Sequence, residues 1–175
     1  MKNKKVILLI LILLVVGIWF FVWYLPNLGV AARVNGVAIT KAVLDQNVRQ
    51  AENMYKWQKQ EVPNTGTLRE NVLSDLINDT LVSQYASSHN IKVSESEINN
   101  RYLLTVGVFN DHNNVPGSSD NAFLARIREM YGIDKNQYLK IIRMDILNEK
   151  VQTGVGMPLA IWLTSQRKIV QISEY

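Results

Sequence analysis

The two histidines are the first residues to test for chemistry, because imidazole moves protons near neutral pH and ligates metals. His89 falls at the expected end of a helix, where a cation meets the helix C-terminus, and reads as a surface cap. His112 sits in Asp111-His112-Asn113-Asn114 with no further ligands at metal-binding spacing. Carboxylate pairs can do general acid–base work. Glu95/Glu97 fall in the first turn of an expected helix and complement its dipole. Asp75/Asp79 lie four apart on another helix and read as a solvated face. Asn78-Asp79-Thr80 matches a glycosylation acceptor, but its mid-helix position makes it a chance match. The chain has no cysteine, so disulfides, thiol catalysis and thiolate metal sites are excluded. No nucleophile elbow, P-loop or dinucleotide fingerprint occurs. The expectation is a protein that is not an enzyme, with no catalytic, cofactor-binding or metal-ligating residues and no cofactor.

What remains is surface chemistry. Met54, Tyr55, Trp57, Tyr102, Phe109, Met130, Tyr131 and Trp162 are large, adaptable side chains. Lining an open groove, they would suit extended apolar peptides of varied sequence, because Met and aromatics repack around different ligands. The competing reading puts most of them in the core, where large apolar groups usually lie.

These residues need elements to hold them. Asn35-Gly36 lies between short β-type stretches and favours a tight turn with positive φ. Thr40 reads as the N-cap of a helix over about 41–60, with Leu44, Val48, Ala51 and Tyr55 on its apolar face. Residues 61–66 form a loop. Thr67-Leu68-Arg69-Glu70 matches a capping box and predicts a helix to about His89, stopped by Asn90. Its stripe is Leu68, Val72, Leu73, Leu76, Ile77, Leu81 and Tyr85. A second capping box, Ser94-Glu95-Ser96-Glu97, opens a helix carrying Ile98, Tyr102 and Val106. Residues 108–119 read as the longest loop, with Pro116 and Gly117.

A fourth helix is expected over 120–131, with Phe123, Ile127 and Met130 on one side and Gly132 as its stop. Asp134 caps a fifth, whose buried candidates are Tyr138, Ile141, Ile142, Ile146 and Val151. Residues 153–157 break the pattern with two glycines, and Pro158 opens a last short helix to about Arg167. Ile169-Val170-Gln171-Ile172 reads as a strand able to pair with the stretch near Val34 and Val37. There is no internal repeat and no low-complexity segment.

With 175 residues, 47% hydrophobic and 19% charged, the chain is long enough for one folded domain and a short appendage. Lys2, Lys4 and Lys5 carry most of the net charge of +4, and the remaining 16 of the 19 basic residues face 15 acidic ones. That near-neutral body lacks the footprint of a nucleic-acid binder. Residues 6–25 are uncharged and apolar and end in Trp19, Trp23 and Tyr24. As a helix, this run spans the hydrocarbon core of a bilayer, with the aromatics at the interface and the lysines cytoplasmic. Val30-Ala31-Ala32 also suits a signal cleavage site, but the run is longer than a signal core and ends in bulky rings. A buried core helix is disfavoured because every face of the run is apolar. The expected organisation is a cytoplasmic tail at 1–5, a transmembrane anchor at 6–25, a linker at 26–31 and an extracytoplasmic, mainly α domain at 32–175 with a short terminal strand pair.

The order of these elements resembles the N-terminal chaperone domain of the SurA family, shared with PpiD- and PrsA-type foldases. The resemblance rests on the Val34–Thr40 strand, the Leu68–Val82 helix, the Ile91-Lys92-Val93-Ser94 step and the Tyr138–Arg143 helix, and on Trp162–Lys168 followed by Ile169–Ile172. It covers about Arg33 to Tyr175. The family normally inserts a parvulin-type prolyl isomerase domain between the last long helix and the C-terminal piece. Here only about Gln152 to Met157 lies between them, so isomerase activity is not expected. The resemblance implies an ATP-independent chaperone module. Its expected partners are unfolded or partly folded exported polypeptides, with a lipid bilayer holding residues 6–25 and the translocation machinery nearby, and no nucleic acid. A membrane scaffold docking one folded partner is the alternative, and prolyl isomerisation a second.

Overall fold

The computed structural model describes residues 29–113 and 120–175. The expected cytoplasmic tail and anchor and the start of the linker lie outside the described residues, as does the stretch holding Pro116 and Gly117. No described helix is long and apolar enough to cross a membrane. Among the described residues the chain forms six helices and a three-stranded sheet.

The chain enters through β1 (Val30–Val34) and turns at Asn35-Gly36 into β2 (Val37–Thr40). Asn35 (φ 48°) and Gly36 (φ 82°) are both left-handed, the two-residue turn whose twist matches flanking strands. Val30 and Ala31 are buried in β1, so the sheet begins inside the stretch read as linker. β3 (Ile172–Glu174) pairs antiparallel with β1, giving the order β2-β1-β3. The pairing of the C-terminal segment near Val34 is as expected, with Val34 opposite Ile172, but the strand starts later. Ile169 closes the preceding helix and is 75% exposed.

Thr40 caps α1 (Lys41–Trp57) by accepting from the Val43 N–H at 3.2 Å. α2 (Thr65–Ser88) starts two residues before the expected capping box. Asn64 is its N-cap, accepting from the Gly66 N–H at 2.8 Å, and Thr67 is already helical. Asn90 (φ 53°) terminates the turn after α2, as read from the sequence.

α2 is the spine of the molecule. Leu68 and Val72 join Leu44 and Val48 of α1. Ile77 and Leu81 lie under Ala32, Val34 and Ile39 of the sheet. Val82 and Ala86 meet Val151 and Trp162. The last contact uses a face the single-stripe reading missed, because a helix packed on several sides loses its amphipathic contrast.

α3 (Glu95–Asn113) opens with the expected box: Ser94 Oγ accepts from the Glu97 N–H and the Glu97 carboxylate accepts from the Ser94 N–H. It runs six residues, 108–113, into the stretch read as a loop. Asn110 is buried there, and the Asn113 carboxamide donates to the Phe109 carbonyl, so polar residues close this end of the helix. α4 (Asn121–Tyr131) stops at left-handed Gly132. α5 (Lys135–Val155) is capped by the reciprocal Asp134/Gln137 pair and passes through Gly154 to end at left-handed Gly156. The break expected from residue 153 is confined to Gly156–Pro158, because Val151 is fully buried and holds the last turns in place. α6 (Leu159–Ile169) follows.

A second core lies between α3, α4 and α5. Phe123 is its hub, edge-on to Tyr102, Phe109 and Tyr138 at 5.9, 5.4 and 5.3 Å between centroids, the arrangement ring quadrupoles favour.

Candidate functional site

The eight candidate surface residues divide three ways. Tyr102 and Trp162 are interior, at 2% and 6% exposure. The Tyr102 hydroxyl donates to Asp120 at 2.8 Å, and Trp162 meets Tyr85 edge-on in the cluster that seats α6 on α2. Both are therefore removed from any open groove: each has a buried ring to satisfy, and the core offers the partners. Phe109 is half-buried on the Phe123 ring, and Tyr55 is half-buried against the α1–α2 core.

Met54, Trp57, Met130 and Tyr131 lie on the C-terminal halves of α1 and α4, two helices that pack together. All four are half-buried. Arg126 lies over the Trp57 ring at 5.6 Å, and the Asn53 carboxamide donates to the Tyr131 carbonyl. Gly132 fits because a Cβ there would stand 2.8 Å from Asn53 Nδ2. This junction offers aromatic faces and thioethers that are partly wetted and held by few polar ties.

Two surfaces escaped the sequence reading. On α3, Leu103, Leu104 and Val108 are 56%, 68% and 59% exposed, although Ile98, Tyr102 and Val106 anchor the same helix in the core. The signal was legible, since apolar residues on both sides of a stripe exceed what one core face can bury. Reading residues 108–113 as a loop separates Val108 from Leu104, its i, i+4 neighbour on the helix.

The other surface is a cleft of about 390 Å3 between α1, α2 and α5. Its α1 wall is Gln46, Asn47 and Gln50. Its α5 wall is Gln137, Lys140, Ile141 and Met144. Ile141, expected in the core, is 38% exposed along this wall, because Ile142 and Ile146 turn the buried face of α5 toward α3 and α4. Asp79 of α2 lines the cleft and is half-buried, which corrects the reading of Asp75/Asp79 as one solvated face: only Asp75 is exposed. Burial raises the Asp79 carboxyl to about 6, and the Asp75 and Asp145 carboxylates add to the rise. Among the described residues, no hydrogen bond or ion pair reaches Asp79.

His89 is the surface cap expected, stacked on Tyr85 with ring centroids 3.8 Å apart. Glu95 and Glu97 bind Arg143 and Lys150 across α3 and α5. The Lys150 ammonium, followed by Ser94, holds Glu97 down at about 2. Asn78 accepts from the Arg167 guanidinium at 3.0 Å. Among the described residues, no group of His, Asp and Glu is placed to hold a metal.

The fold defines a mainly helical module: a small sheet and a bundle around one long helix, with apolar side chains left partly open and clefts between helices. The family model described as the SurA-like N-terminal domain matches residues 1–152, and the chain belongs to that family. The match reaches further toward the N-terminus than the resemblance read from the sequence, and it stops before α6 and β3. No curated protein matches the chain.

Proposed function

We propose that the protein is a chaperone-like module that holds unfolded exported polypeptides by apolar contact, without nucleotide. The observation that carries this reading is the exposed Leu103, Leu104 and Val108 row on α3, a helix otherwise locked into the core. Singly exposed apolar residues are ordinary, but three on the outer side of one helix, with Leu104 and Val108 one turn apart, offer an apolar binding surface. The half-buried Met54, Trp57, Met130 and Tyr131 junction adds a second adaptable surface. Family membership supports the same class of activity.

The apolar run at 6–25 tethers the module to the cytoplasmic membrane with the C-terminal domain outside, where exported chains emerge. A tether raises local concentration without any new contact. The chain passes from α5 to α6 through Gly156–Pro158, and this short passage supports a holding function without prolyl isomerisation.

The test is light scattering from a chemically unfolded client diluted into buffer with the full-length protein, alongside a proline-peptide isomerisation assay. Suppressed aggregation without isomerisation supports the reading. Failure to suppress at stoichiometric excess overturns it and favours a membrane scaffold. Measurable isomerisation overturns the non-catalytic part.

A further inference from the structure

We propose that the cleft between α1, α2 and α5 seats a lysine or arginine side chain of a bound polypeptide, with the cationic head at Asp79 and the aliphatic stem along Ile141 and Met144. This inference rests on the polypeptide-holding reading and names a chemical preference within it.

Four observations carry it. Asp79 lines the cleft with no partner among the described residues. A half-buried carboxylate without a partner is costly, and a cation that brings its own charge relieves that cost. The α1 wall adds acceptors. The Asn47 amide nitrogen donates to the Val43 carbonyl at 2.8 Å, leaving its oxygen to accept, and Gln46 and Gln50 stand beside it. The α5 wall supplies aliphatic surface for a long stem, the way Lys and Arg side chains are usually accommodated. The fourth observation is charge. From α2, Asp75 and Asp79 are acidic, and from α5, Asp145 is acidic while Lys140 is basic at the rim. From α1 the lining is neutral. In the lining itself the charged groups are Asp79 and Lys140, and the Asp75 and Asp145 carboxylates that act on Asp79 make the field at its end of the cleft negative, which favours a cation over an anion there.

Occupancy follows the ionisation of Asp79. The carboxyl is charged above about 6 and neutral below, so cation binding is strong at neutral pH and fades as pH falls. Lysine and arginine stay charged throughout, so the change belongs to the protein.

The probes are two fluorescent, unstructured peptides, one with three lysines among Gly and Ser and one with those lysines replaced by glutamine. Fluorescence anisotropy against the full-length protein reads their affinities at fixed salt. At pH 7.5 the lysine peptide binds about tenfold more tightly, as a charge-assisted hydrogen bond implies. At pH 5 the preference shrinks to about twofold or less, since Asp79 is then mostly protonated. Asp79→Asn removes both the preference and its pH dependence. Lys140→Ala strengthens lysine-peptide binding by about two- to threefold by removing a like charge at the rim.

Equal affinity for the two peptides at pH 7.5 overturns the proposal. So does a preference that survives in a natively folded Asp79→Asn protein, or a Lys140→Ala protein with unchanged or weaker binding. A protein that suppresses aggregation but ignores the lysines leaves the chaperone reading standing and this one fallen. A protein that prefers the lysine peptide but fails to suppress aggregation does the reverse.

Discussion

Asp79 titrates near 6 because burial and two neighbouring carboxylates disfavour its charge. Its folded value lies above the ordinary carboxylate value of 3.8, so the native state holds the proton more tightly than the unfolded state does. Stability therefore rises as pH falls from above 6 toward 4. Asp79→Asn removes that dependence and stabilises the protein at pH 7.5 by about 1 kcal/mol, the shift being discounted for partial exposure. Chemical denaturation at pH 7.5 and 5 reads both effects. Glu97 has the opposite sign. Lys150 and Ser94 hold it near 2, so its contribution is present above its ordinary value of 4.5 and is lost as pH falls through about 2. Gly132 makes a backbone point. Its φ of +70° and the 2.8 Å approach of Asn53 leave no comfortable place for a Cβ. Gly132→Ala therefore destabilises by about 1–2 kcal/mol, measurable as a lowered denaturation midpoint.

Among the elements, α3 carries the clearest division of labour. Its cap, Ser94 with Glu97, closes the helix start and ties it to Lys150 on α5. Ser94→Ala should cost about 1 kcal/mol of stability, seen as a lower melting temperature, with client binding unchanged. Its outer row behaves in the other way. Leu104→Glu and Val108→Glu replace exposed residues and should move stability by about 0.5 kcal/mol or less, while aggregation suppression falls severalfold in the scattering assay. An unfolded or heavily destabilised double variant would mean that the row is structural rather than functional.

At the scale of the molecule, α5 joins the two cores, giving Ile142 and Ile146 to one and Val151 to the other, and the C-terminal segment closes the core built on α2. β3 pairs with β1, Trp162 fills the cluster beside Val82 and Val151, and Arg167 reaches Ser74 and Asn78 on α2. This closure lies beyond residue 152, where the family match ends. Trp162→Ala should therefore cost about 3–5 kcal/mol, the range for a buried aromatic. Truncation after Met157 should cost more still, read as loss of the cooperative thermal transition by circular dichroism. A truncated chain that melts as the full-length protein does would show that α6 and β3 are an appendage rather than part of the fold.

Local signals were strong enough to be read directly from the chain. The Asn35-Gly36 turn, the Thr40, Ser94 and Asp134 caps and the Gly132 stop all depend on residues within a few positions of one another. The same holds for the apolar stripes of α1 and α2 and for the order of elements that placed the chain in its family. Tertiary structure alone decided the rest, because it depends on which face meets which neighbour. It put Tyr102 and Trp162 inside, turned Ile141 outward, extended α3 through polar Asn110 and added a second buried face to α2. It also half-buried Asp79 while leaving Asp75 in water. No spacing within α2 distinguishes those two carboxylates; only the approach of α1 and α5 does.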